Sequence, residues 1–401
     1  MKRALSFLFL SLTTALCLAQ EEPAAPAERK IVLAHYMAWY ASKPVSGVWG
    51  WHWTMDRYNP DQRLENGWPE AASHDRPLMG LYDSGDPQVL ECQVLQMKFA
   101  GIDGVIIDWY GIRNSYDYAM IHRNTQAILP LLERAGLKFA ICYEDQAIGK
   151  MVAKGDLKVG EAVAHAREVF EWVETNWFSR DSYLRHQDRP VLITFGPQYF
   201  DPASWAKAIE GFASDPWMHA LPHLAKDYGA DGPFGWPPVH GGNTLTPSQW
   251  QANLEGLYAR AKTGESVMGV AFPGYEDIYE QAGLHASYGA IAHREGQTFR
   301  ETLDLAFQSD AALIQLATWN DYGEGTMIEP TENRGYRYLE DLQTRMKPGY
   351  DPEALRLPIR LLKLRRQAEE DDLAELDRIS ALLFTGKTEL AAEALTKAEA
   401  H

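Results

Sequence analysis

The sequence predicts a (β/α)8 TIM barrel with a long insertion after strand 1 and a C-terminal helical appendage. Short apolar runs recur between longer amphipathic stretches, the pattern of parallel strands joined by helices. Eight such runs fall between positions 31 and 318, the number that closes a barrel. The competing arrangement, a doubly wound open sheet, would carry a glycine-rich phosphate loop after its first strand, and none is present.

Residues 1–19 read as a secretory signal peptide: Lys2 and Arg3, an apolar stretch over 4–18, and the small Ala19 before Gln20. That stretch is shorter than the ~20 residues that span a bilayer. Export to a secreted or periplasmic location is therefore expected. Lipid anchoring through Cys17 is a lesser alternative, since Leu16 is larger than the small residue such a site takes. Residues 20–29, with Pro23, Pro26 and several alanines, read as a disordered leader. Residues 30–350 form the expected catalytic barrel and 351–401 the helical tail.

The first strand is placed at 31–37 and the second at 104–109, after a helix over 87–100 whose Val89, Leu90, Cys92, Val94, Leu95 and Phe99 make an apolar face. The third strand, 137–143, follows a helix over 125–135, and the fourth, 190–195, follows one over 159–176. Strands five and six are expected at 219–224 and 232–236. Strands seven and eight, at 266–272 and 311–318, follow helices at 249–261 and 298–309. The connection over 41–86 is too long for an ordinary loop and predicts a structured insertion over the barrel mouth. In the tail, Leu361, Leu362, Leu373, Leu376, Leu383, Leu390 and Leu395 at helical spacing, punctuated by Gly386, predict a helical hairpin.

The net charge of −17 excludes a nucleic-acid backbone as partner. No run after residue 30 is long and apolar enough to be a membrane span. Cys92 and Cys142 are expected as buried free thiols. The twelve histidines are scattered and include no His-x-x-x-His pair with an adjacent acid, so no metal and no cofactor is expected. No Gly-x-Ser-x-Gly elbow points to a serine hydrolase. The oligomeric state is left open.

In a barrel, the residues following each strand face the site. Here they are His35, Trp39 and Tyr40; Asp108, Trp109 and Tyr110; Glu144, Asp145 and Gln146; Trp236; Tyr275 and Glu276; and Trp319 to Glu324. Trp51, His52 and Trp53 join them from the insertion. Aromatic faces stack on sugar rings, and Asp108, Glu144 and Glu276 can accept from sugar hydroxyls. Asp321 and Glu324, three apart in a glycine-containing turn, supply the two carboxyl groups that glycosidic hydrolysis needs. The same Asp-x-x-Glu spacing also serves as a helix cap with a salt bridge.

The run Thr318-Trp319-Asn320-Asp321-Tyr322-Gly323-Glu324 resembles the catalytic motif of glycoside hydrolase family 71, the α-1,3-glucanases. The continuation Gly325-Thr326-Met327-Ile328-Glu329-Pro330 resembles family 99, the endo-α-mannosidases, whose Glu-Trp-His-Glu-Gly-Thr-x-Ile-Glu pattern holds the catalytic pair. The likeness covers roughly residues 30–345, including 82–87 and 100–111, and the tail matches neither family. It implies Glu324 as general acid and Asp321 as base, with Trp319, Asn320, Tyr322 and Glu329 in the site. A family 71 base activates water with inversion. The family 99 equivalent deprotonates the 2-hydroxyl with retention. The expected function is a secreted glycoside hydrolase acting on an α-linked glucan- or mannan-type polysaccharide or oligosaccharide. The alternatives are a non-catalytic glycan-binding barrel and an assembly protein working through its tail.

Overall fold

Strand β1 (Ile31–Met37) lies between its neighbours in parallel register, with Ala34 opposite Val105 of β2 (Gly104–Trp109) and Leu316 of β8 (Leu313–Leu316). The computed structural model describes residues 29–400. The signal peptide, Cys17 and all of the leader except Arg29 lie outside them.

From β2 the sheet continues through β3 (Lys138–Tyr143), β4 (Arg189–Thr194), β5 (Trp217–Ala220) and β6 (Gly232–Pro233). On the other side, β8 pairs with β7 (Gly269–Ala271). The open ends meet where Phe234 bridges Met268 in parallel, and the barrel closes. Closure requires glycine at 232, because a Cβ there would stand 1.7 Å from the Ser266 carbonyl oxygen. The strands are buried almost throughout and rich in Val and Ile, as expected when a parallel sheet is covered on its outer face and packed within.

Helix α1 (Pro87–Ala100) starts where Asp86 accepts from the Gln88 amide, with Pro87 in the first turn, and stops at Gly101 in the left-handed conformation. The outer layer continues with α2 (Tyr118–Ala135), α3 (Ala162–Val173), α4 (Pro202–Ile209), α5 (Pro247–Ala259) and α6 (Gln297–Gln308). Then come α7 (Arg337–Met346) and the tail helices α8 (Leu357–Arg365), α9 (Leu373–Phe384) and α10 (Thr388–Ala398).

The order of elements agrees with the sequence reading, but several bounds do not. Strand five lies at Trp217–Ala220 rather than 219–224, because Leu221 begins a turn that bonds to Leu224 and Ala225. Helix α2 begins at Tyr118, seven residues before the expected start at 125. The tail carries three helices, not two. A side sheet of Tyr275–Glu276, Gly289–Ile291 and Asn243–Leu245 was not foreseen, and it shapes one rim of the barrel mouth. Much of the insertion is irregular, held by the short helices Lys43–Ser46 and Trp51–Thr54 and by a bridge from Pro77 to Thr331. Cys92 and Cys142 are free and buried. No helix among the described residues is long and apolar enough to cross a membrane.

Candidate active site

A cleft of about 680 Å³ opens at the carboxyl ends of the barrel strands. Asp321 and Glu324 stand in it on the loop after β8. Asp321 Oδ1 accepts the Glu324 amide at 3.0 Å, while the Asp321 amide donates to Thr318 Oγ1 at 2.7 Å, so the turn fixes its own carboxylate. The loop then crosses the side sheet, where the Glu276 amide donates to the Glu324 carbonyl at 2.9 Å. Gly325 makes this approach feasible: its φ is +66°, and a Cβ would come within 2.7 Å of the Glu276 carbonyl oxygen.

Burial pushes Asp321 up to about 7, with the backbone amides of Glu324 and Gly323 pulling the other way. Glu324 rises well above the usual carboxylate range through burial and the adjacent Asp321 charge, opposed by the Tyr275 and Tyr279 hydroxyls. Its Oε2 is closed to water and has no hydrogen-bond partner. A carboxyl group raised in this way holds its proton to higher pH than an exposed one and can deliver it. Across the cleft, burial lifts Asp108 to about 7 and raises Glu144, with Lys150 lowering both.

Of the residues expected at the site, His35, Trp39, Tyr40, Trp51, His52, Asp108, Tyr110, Glu144, Trp236 and Tyr275 line the cleft together with Asp321 and Glu324. His52 stacks on Trp39 with ring centroids 4.1 Å apart and planes 4° apart. Trp236 meets His35 edge to face at 4.9 Å.

Gln146 and Gly323 line it as well, whereas the remaining expected residues do not. Trp109 is buried among His122, Trp172 and Trp177 on the outer side of β2. Trp53 packs on Tyr40 and donates to the Tyr82 carbonyl at 2.8 Å. Asp145 accepts the Gln198, Tyr199 and Phe200 amides and so anchors the loop after β4. Glu276 contributes its backbone, and its side chain is exposed.

Asn320 and Glu329 lie behind the loop after β8. Asn320 accepts from the Met37 amide and donates to the Met37 carbonyl and Tyr82, tying the loop to the end of β1. Glu329 accepts from Gln93, Tyr82, Tyr322 and Trp319. Thus Trp319 and Tyr322 position the loop by bonding to Glu329 rather than by facing the cleft. Sequence reasoning missed Lys150, Gln198, Tyr279, His285 and Tyr288, which line the cleft from elements whose position follows from the closed barrel and the unforeseen side sheet.

No family model matches the chain. The structure is similar to the GH99 endo-α-mannosidase from Bacteroides thetaiotaomicron, at 18% identity and a TM-score of 0.58 over 82% of this chain and 98% of that one. The same enzyme in complex with bis-tris propane gives 19% and 0.59 over 84% and 98%. A glycoside hydrolase-like protein gives 16% and 0.54 over 82% and 97%. What they share with this chain is the barrel fold. In sequence, the uncharacterized protein WxcX of Xanthomonas campestris pv. campestris is 20% identical over 359 residues, covering 77% of this chain and 48% of that protein. The chain thus spans about half the length of the curated relatives it matches.

Proposed function

We propose that the chain is an exported glycoside hydrolase that cleaves an α-linked glycan, with Glu324 protonating the leaving oxygen and Asp321 acting as base. The observation that carries this reading is the placement of the pair: two desolvated carboxyl groups on one loop at the barrel mouth, both raised by burial and Asp321 held by backbone amides. Two interacting carboxyl groups in one cleft, one holding a proton while the other is ionised, are what acid and base roles require. The likeness in fold to the B. thetaiotaomicron endo-α-mannosidase supports the same reading, as does the strand-eight motif. Trp39, Trp51, Trp236 and Tyr275 supply the aromatic walls for sugar rings.

Purified protein incubated with α-mannan, α-1,3-glucan and other α-linked polysaccharides should release reducing ends from one of them. NMR of the first anomer formed then distinguishes the inverting route of family 71 from the retaining route of family 99. Glycan binding without any release would favour the non-catalytic alternative and overturn the enzymatic one.

The pH profile follows from the pair. The base must be ionised, so kcat/KM should fall by about tenfold per pH unit as Asp321 takes up a proton below about 7. It should fall again at higher pH, where Glu324 loses its proton. Because the two groups interact, these limbs report the pair as a whole. Activity that keeps rising toward pH 5 would sink the assignment of Asp321.

Trp236→Ala should raise KM by about tenfold, or about 1.4 kcal/mol, with little change in kcat. An effect confined to kcat would mean that the indole does not hold sugar.

A further inference from the structure

We propose that His35, Asp108 and Cys142 form a binding site for one zinc-type divalent cation on the floor of the cleft. One ligand atom from each lies within 4.8 Å of those of the other two. The strands create this cluster. Met37 is in register with Asp108, and Asp108 with Cys142, so these side chains stand side by side on the inner face of the barrel. His35, two residues before Met37, shares that face because side chains alternate along a strand. All three residues are buried, at 1%, 3% and 0% exposure.

Two further observations point to a ligand. Asp108 Oδ1 is closed to water and has no hydrogen-bond partner, which is costly for a buried carboxylate oxygen. The imidazole, in turn, is oriented from behind. Gln315 Nε2 donates to the Gly235 carbonyl, which directs its Oε1 at His35 Nδ1, 3.0 Å away. His35 therefore donates from Nδ1 and carries its lone pair on Nε2. A carbonyl-type acceptor fixing the tautomer of a ligating histidine is the usual outer support of such sites.

The donor set selects the ion. One imidazole nitrogen, one carboxylate oxygen and one thiolate suit zinc or cobalt(II), not magnesium or calcium, which take oxygen ligands. The charges balance as well. On coordination the Cys142 thiol releases its proton to solvent, and one thiolate and one carboxylate then neutralise a dication in a buried place. Tetrahedral zinc bonds place ligand atoms roughly 3.5 Å apart, so the three ligand atoms draw together on binding. His35 and Asp108 also line the cleft, which leaves a fourth position facing it. No local spacing reveals the site, because each ligand comes from a different strand.

The test does not depend on hydrolysis. Cobalt(II) is titrated into the full chain carrying Cys17→Ser and Cys92→Ser, which leaves Cys142 as its one thiol. The expected result is one equivalent bound, with thiolate-to-cobalt charge-transfer absorption and tetrahedral visible bands. Zinc should displace it and magnesium should not. Adding His35→Ala should weaken binding at least about tenfold. Absence of the charge-transfer band, displacement by magnesium, or undiminished binding in a folded His35→Ala protein would overturn the site. If the His35 variant does not fold, the spectrum of the single-thiol protein decides alone.

Discussion

Replacing Glu324 by Gln should reduce kcat on the true substrate by about 10³-fold or more while leaving the protein folded. The amide keeps the shape of the carboxyl group but has no proton to give, and positioned proton transfer is worth about 10² to 10⁴ in rate. Stability should not suffer. Burial and the Asp321 charge already bias the wild-type carboxyl toward its neutral form, which the neutral amide mimics. As pH rises above about 4.5, where the carboxyl ionises in the unfolded chain but not in the folded one, the variant should become progressively the more stable protein. Asp321→Asn should be comparably inactive. The double variant should be little worse than either single one, since the two groups act as a unit. Steady-state kinetics together with thermal melts at pH 6 and pH 9 read all of this. Undiminished hydrolysis by the folded Gln variant would end the assignment of Glu324 as acid.

The sequence made this site legible to different degrees, for physical reasons that differ residue by residue. The strand-eight loop was readable because a main constraint on it is local, Asp321 binding an amide three residues away, whereas the Glu276 backbone that Gly325 accommodates is distant in sequence. His35, Asp108 and Glu144 were readable because they fall at strand ends, and a barrel collects strand ends in one place. Trp109 failed the same logic. Next to Asp108 on a strand it must point to the opposite face, where the surrounding helices supply Trp172 and Trp177. Asn320 and Glu329 were placed in the site by the family resemblance of the motif. Their partners, Met37, Tyr82 and Gln93, are distant in sequence, and only the closed barrel shows them to be supports. Strand five was misplaced for a related reason: its four residues carry little pattern of their own and gain definition from pairing with β4.

The tail, which matches neither family, is expected to matter for stability, and Arg365→Ala measures by how much. Helix α1 has two working faces because residues 91 and 93 lie about 200° apart around an α-helix. Gln93 points inward, donating to Glu329 at 2.6 Å and accepting from Tyr36, and so supports the catalytic loop. Glu91 points outward and is held by Arg365 of α8 at 2.8 Å and by Ser380 of α9. With side-chain exposures of 10% for Glu91 and 13% for Arg365, this is a buried ion pair. Removing Arg365 leaves the carboxylate in place with only a hydroxyl donor, and stranding one member of a buried pair costs about 3–5 kcal/mol. In a chain of this size that lowers the melting midpoint by roughly 6–10 °C. Glu91→Gln in the same background should restore part of the loss by removing the unpaired charge. That rescue separates an electrostatic cause from lost packing, which it would leave uncorrected. A melting midpoint within about 1 °C of wild type for Arg365→Ala would show that the tail rests on the barrel through its apolar contacts alone, Leu361, Leu362, Leu376 and Leu383 among them.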